Sequence, residues 1–218
     1  MSRFESVNMK KLWLFICVLL AGCAGYRSGE VSQAYVDVAP AVAAVARGTP
    51  TWLEIPGARV RVELSNEIQQ REHQVMLFIV PVMVDPRDKP LYPVEQGARL
   101  LLEISPAVHG ARLRPEAVVL TIDGREYRAS GVQRLAVFDP GKYPLDSLRD
   151  AEPSSSADLT YSLDTPGRHH QFWLRFETPM PAPTQGIQLD LSRALYLPGQ
   201  PTVPPIRFRA VRWKQGYT

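Results

Sequence analysis

Cysteine is scarce in this chain: of 218 residues only Cys17 and Cys23 carry a thiol, and both lie in the first 23. Everything after Cys23 must therefore fold without an intrachain disulfide. Excess charge of one sign is lacking too. The formal net charge is +3, and residues 1–22 carry Arg3, Lys10 and Lys11 against Glu5, so removing their +2 leaves +1. A nearly neutral chain has no electrostatic footprint for nucleic acid, and no nucleic-acid partner is expected. Long hydrophobic runs are missing as well. The N-terminal apolar segment, Leu12 to Ala21, stops at Gly22 with polar residues from Tyr26 onward, short of the ~20 residues that cross a bilayer. There is no His-Glu-x-x-His, no Gly-x-Ser-x-Gly, no phosphate loop ending in Gly-Lys-Ser or Gly-Lys-Thr, and no internal repeat at a fixed period. On these grounds no catalytic residue, metal or cofactor is expected.

What is present begins at the N-terminus. Lys10 and Lys11 precede an apolar segment of ten residues that ends in small ones, the form of a secretory signal. Glu5 is unusual in a region that should be basic, and Met9, Lys10, Lys11 would make a more conventional start. Leu20, Ala21, Gly22 and Cys23 resemble the lipobox of bacterial lipoproteins. That resemblance covers about the first 25 residues. It implies cleavage before Cys23, acylation of that cysteine and attachment to the membrane through several acyl chains on one residue, enough for a persistent anchor. Ala24 follows where an aspartate would favour retention in the inner membrane, so the resemblance implies the outer membrane, with the protein facing the periplasm. The domains expected are a signal peptide over 1–22, a lipidated tether over 23–50 and a folded domain over 51–218.

The tether reading rests on Gly25, Ser28, Gly29, Ser32 and Gln33, followed by an alanine-rich piece that Pro40 and Gly48 would bracket as a short helix over Ala41 to Arg47. About 27 such residues span roughly 30 Å. After Pro50 the hydrophobic period becomes two, the mark of half-buried strands. Val60, Val62 and Leu64 alternate with arginine and glutamate. Leu100 to Ile104 forms an apolar run, and Val75 to Val80 reads as a strand buried on both faces that Pro81 should end. Ala117 to Ile122 and Arg125 to Ala129 flank Asp123-Gly124, a pair suited to a tight primed hairpin turn. Lys142 to Pro166, with Ser154, Ser155 and Ser156, reads as a long surface connection. Strands resume at Phe172, Leu174 and Phe176, at Ile187, Leu189 and Leu191, and at Ile206, Phe208 and Ala210, with prolines between them. Twenty prolines and seven or more short strands predict an all-β fold, an antiparallel sandwich of immunoglobulin-like type.

Chemically suggestive residues are few. His169 and His170 are adjacent and on a strand would point to opposite faces, so they read as a surface pair near the start of a strand and not as joint metal ligands. His73 and His109 are isolated. The last strand carries Arg207, Arg209, Arg212 and Lys214 with Trp213, and strict alternation would put Arg207, Arg209 and Trp213 on one outward face. Arginine and tryptophan together are typical interface anchors, which makes these three the candidate partner surface, for an envelope protein or an anionic group. Free sheet edges offer a second route, strand addition by another chain. The reading overall is a lipid-anchored, non-catalytic binding or assembly module of the cell envelope. The alternatives are an envelope hydrolase whose site is assembled from distant residues, and a purely structural lipoprotein.

Overall fold

The computed structural model describes residues 24–37, 44–46, 51–76, 80–85, 88–92, 97–139, 141, 155–156 and 158–217. The signal region and Cys23 lie outside them. Among the described residues there is no α-helix, only a 3-10 turn at Pro115–Ala117 and the strands β1 (Ala24–Tyr35), β2 (Ala44–Ala46), β3 (Trp52–Ile55), β4 (Ala58–Leu64), β5 (Ile68–Met76), β6 (Val80–Asp85), β7 (Lys89–Pro90), β8 (Ala98–Pro106), β9 (Arg112–Leu113), β10 (Val119–Ile122), β11 (Arg125–Phe138), β12 (Ser155–Ser156), β13 (Tyr161–Ser162), β14 (His169–Phe176), β15 (Ile187–Asp190), β16 (Leu195–Tyr196) and β17 (Ile206–Tyr217). Fourteen of them form one large sheet in the order β3-β4-β8-β14-β11-β10-β15-β17-β1-β5-β6, with β12, β2 and β7 added beside β11, β17 and β5. β13, β9 and β16 make a separate small sheet. The pairings are antiparallel except that of β2 with β17.

The large sheet curls because two long strands change partners along their length. β11 pairs with β10 through Arg125–Arg128 and with β14 from Ala129 onward, and its register shifts between Ala129 and Gly131 and again between Arg134 and Ala136. Such bulges bend a strand and increase its twist. β17 likewise pairs with β15 at Ile206 and Arg207 and with β1 from Arg207 to Tyr217. The curl brings Leu100, Leu102, Ile104, Phe172 and Leu174 from one half into the same core as Leu120, Leu189, Ile206 and Phe208 from the other. Each fully buried side chain of this size contributes about 1.5–3 kcal/mol.

The period-two segments at 60–64, 172–176 and 187–189 fold as their patterns predict. β4 alternates buried and more exposed residues, and the turn between β10 and β11 is the two residues Asp123 and Gly124, both at positive φ (48° and 82°). The tip of that hairpin is held by the 182–186 loop: the Gly186 N–H and Gln185 Nε2 donate to the two oxygens of Asp123, at 2.9 and 2.8 Å.

Three expectations are corrected. Residues 24–35 are not a tether but β1, hydrogen-bonded between β17 and β5, so the sheet begins well before residue 51. Glycine, serine and alanine suit this place: Gly29, Ser32 and Ala34 are buried, and at Gly29 even a Cβ would meet the Ile68 carbonyl oxygen. The helix expected over 41–47 has a strand, Ala44–Ala46, at its centre, which takes up the edge of β17 beyond β15. The run from Val75 to Val80 is divided between β5 and β6, which pair antiparallel with Met76 opposite Val80. Pro81 sits inside β6, at one end of the sheet order, where a missing N–H is tolerated.

Candidate functional site

Strands β4, β8 and β14 turn their even-numbered apolar residues inward, β11 adds Ala129 and Val132 to the same core, and a polar, aromatic face is left outside. Glu103 is the centre of this face. It interrupts the apolar run of β8 and is only 2% exposed, directly opposite Arg61 on β4 and Gln171 on β14. Its Oε1 receives His169 Nδ1 at 2.8 Å, its Oε2 receives Gln171 Nε2 at 2.9 Å, and Arg61 Nη1 lies 3.5 Å from Oε2. A carboxylate oxygen accepts, so His169 Nδ1 is the donor in this contact. The imidazole is boxed by Phe138, stacked on it at 5.1 Å with 11° between planes, and by Trp52, edge-on at 4.9 Å. The Arg59 guanidinium lies 5.3 Å over the Trp52 ring.

A carboxylate holding an imidazole in one tautomer is half of a general-base arrangement. The other half is a hydroxyl or thiol against Nε2, and among the described residues no serine, threonine or cysteine side chain is hydrogen-bonded to His169. Glu103 instead has both oxygens engaged, by side chains of the two strands that flank β8, β4 and β14. It acts as a cross-tie that satisfies a buried charge and fixes the face on which the neighbouring side chains stand.

Further along the same face lies an open groove of about 220 Å³, lined by Arg99, Gly131, Gln133, Trp173, Leu174 and Arg175. The bulge in β11 and the missing side chain of Gly131 create the depression: a Cβ on Gly131 would come within 3.3 Å of Arg175 Nη2. Another depression, about 280 Å³, lies on β10, β11 and β15, where Glu126 and Asp190 stand with Arg128 and Arg193. Its charges are of both signs, whereas the first groove is lined by arginines alone among charged residues.

No protein-family model matches the chain, and neither does any curated protein or solved structure.

The residues singled out from sequence fall in different places. Cys23 lies outside the described residues. Arg207 is exposed, opposite Tyr35 and Gln188, while Arg209 is half-buried with its Nη2 donating to Gln33 Oε1 at 2.9 Å. Trp213 is 1% exposed and is corrected from a surface anchor to a packing residue. The reason is a change of phase in β17. Ile206 and Phe208 are buried on the even side, but beyond Ala210 the buried residues are Val211 and Trp213 on the odd side. The adjacent pair Ala210-Val211 is the sequence signal for that switch. The indole packs over the backbone of its β1 register partner, Gly29.

The histidine pair is corrected in the same way, since both rings are buried. They do point to opposite faces, His169 outward to Glu103 and His170 toward the core. His170 has no hydrogen-bond partner for either ring nitrogen among the described residues. Its pKa is lowered to about 4, first by burial and then by the positive charges of Arg134 and Arg168 and by His169, with Asp164 pulling the other way. Glu103 was legible as a lone charge inside the apolar run of 100–104. Its partners, 66 and 68 residues away for His169 and Gln171, were not.

Proposed function

We infer that the protein is a lipid-anchored, non-catalytic binding module of the bacterial cell envelope, held by acyl chains on Cys23 at the outer membrane and facing the periplasm. The observation that carries the binding role is the outer face of β4, β8, β14 and β11, where a buried cross-tie at Glu103 supports an open groove lined by Trp173 and two arginines. Rigid strands that hold aromatic and guanidinium groups around a depression make a good recognition surface. Support for the anchor is the series Leu20, Ala21, Gly22, Cys23 after an apolar run too short to span a bilayer. In this reading the two halves of the curled sheet are the layers of an immunoglobulin-like sandwich closing over one core.

With β1 starting at Ala24, the anchor joins the sheet without a tether between them, so the domain rides at the headgroup level. The test is fractionation of cells carrying the parent chain or Cys23→Ser. The parent should sediment with outer membranes and the variant should appear in the soluble periplasmic fraction. A variant that still sediments as the parent does would overturn the anchor. Affinity capture from detergent-solubilised envelopes should then recover the same partner with both forms.

A further inference from the structure

We propose that Arg99, Arg175 and Trp173 form a binding site for a phosphoryl group carried on a flat ring. The inference deepens the binding reading above by naming the chemistry the groove recognises, and it rests on that reading.

Arg99 and Arg175 are register partners on β8 and β14, directly opposite one another and both exposed on the outer face. Directly opposed residues bring their Cβ atoms to about 4.5–5.5 Å, and like charges so placed destabilise a sheet. Ion pairs are plentiful elsewhere: Arg27 with Glu72, Arg59 with Glu54, Arg61 with Glu63, Arg114 with Glu116 and Arg168 with Asp139. Among the described residues no carboxylate pairs with Arg99 or Arg175. Two arginines, neither paired with a carboxylate, thus line the same groove. The Arg175 guanidinium lies over Gly131, where a side chain would crowd it, and the Ser130 hydroxyl donates to the Arg175 carbonyl, tying the backbones of the two strands at the bulge.

The number of donors selects the anion. One carboxylate is satisfied by a single planar fork, whereas a phosphoryl group offers three oxygens and close to two negative charges and can engage two forks at once. Trp173 lines the same groove, half-buried, and presents a surface for stacking a ring beside the charged end; Gln133 adds a neutral hydrogen-bonding group. At about 220 Å³ the groove is smaller than the ~300–1,000 Å³ pockets that enclose a whole drug-sized molecule. It therefore takes the phosphorylated ring of its ligand and leaves the remainder outside.

Calorimetric titration of the mature chain in detergent with phenyl phosphate, inorganic phosphate and benzoate tests this. Phenyl phosphate should bind saturably and more tightly than the other two. Arg99→Gln and Arg175→Gln should each weaken it ~10-fold or more, and Trp173→Ala should weaken phenyl phosphate while leaving inorganic phosphate unchanged. Without ligand, Arg99→Gln should melt no lower than the parent, because it relieves a repulsion. No saturation at ~10 mM phenyl phosphate, where even a ~1 mM Kd would show, or unchanged binding by both arginine variants, would overturn the site. The same titration on Cys23→Ser should return the parent's affinity, so the phosphoryl site and the lipid anchor can fail independently of one another.

Discussion

At the scale of single residues, His170 and Gly29 show how tightly this interior is constrained. His170 is 3% exposed, and burial, Arg134, Arg168 and His169 all oppose its protonation while Asp164 favours it. With the folded pKa near 4 and the ordinary value at 6.5, the unfolded chain takes this proton more readily than the folded one. The group therefore leaves stability intact above pH 6.5 and erodes it as pH falls from 6.5 toward 4, by about 3 kcal/mol in all. His170→Leu keeps much of the volume and removes the titration. Between pH 7 and pH 4.5 its unfolding free energy in urea should fall by about 2 kcal/mol less than the parent's; parallel losses would show that the ring does not carry the effect. Gly29 is constrained by space instead. A Cβ there would stand 1.9 Å from the Ile68 carbonyl oxygen and 2.8 Å from Trp213 Cζ2, at the point where the β1–β5 register shifts. A backbone carbonyl cannot swing aside, so Gly29→Ala should cost about 3 kcal/mol. A loss under ~0.5 kcal/mol in denaturant titration would mean that the strands part freely.

At the scale of elements, one asparagine joins three segments. Asn66, between β4 and β5 and 0% exposed, accepts the Ser32 N–H at 3.2 Å and donates to the Ser32 hydroxyl at 2.8 Å and to the Pro181 carbonyl at 3.0 Å. Asn66→Ala would strand all three partners out of reach of water and should lower stability by about 3 kcal/mol, against about 1 for Ser32→Ala. Equal losses in thermal unfolding would place the junction elsewhere. β1 is also the element that the sequence hid. Strands with one apolar face, such as β4, β10 and β14, announced themselves by alternation, and Asp123-Gly124 announced its hairpin. β1 carries no apolar alternation because it is held by backbone pairing on both edges and by small or polar buried residues, so its composition reads as a linker. The candidate site was hidden for a related reason. Arg61, Glu103, His169 and Trp52 lie on four strands, and only register brings them together; along the chain each looks like an ordinary residue of an outward face.

At the scale of the whole molecule, an all-β architecture could be read from proline content and period, but the curl of its large sheet could not. The curl depends on β11 and β17, whose two ends have different partners, and the clues are doublets such as Leu135-Ala136, where buried residues stand side by side, and Ala210-Val211, where the buried side of β17 changes. Position in the sheet then gives β1 a mechanical character. It is antiparallel to β17 across eleven register pairs, Gly25 to Tyr35, and is flanked by β5 on its other edge. A force entering at Ala24 runs along the strand axis, not across it, so the ladder is loaded in shear. Its hydrogen bonds must yield together instead of opening one at a time from an end, and the N-terminus of this domain is a lap joint able to bear tension.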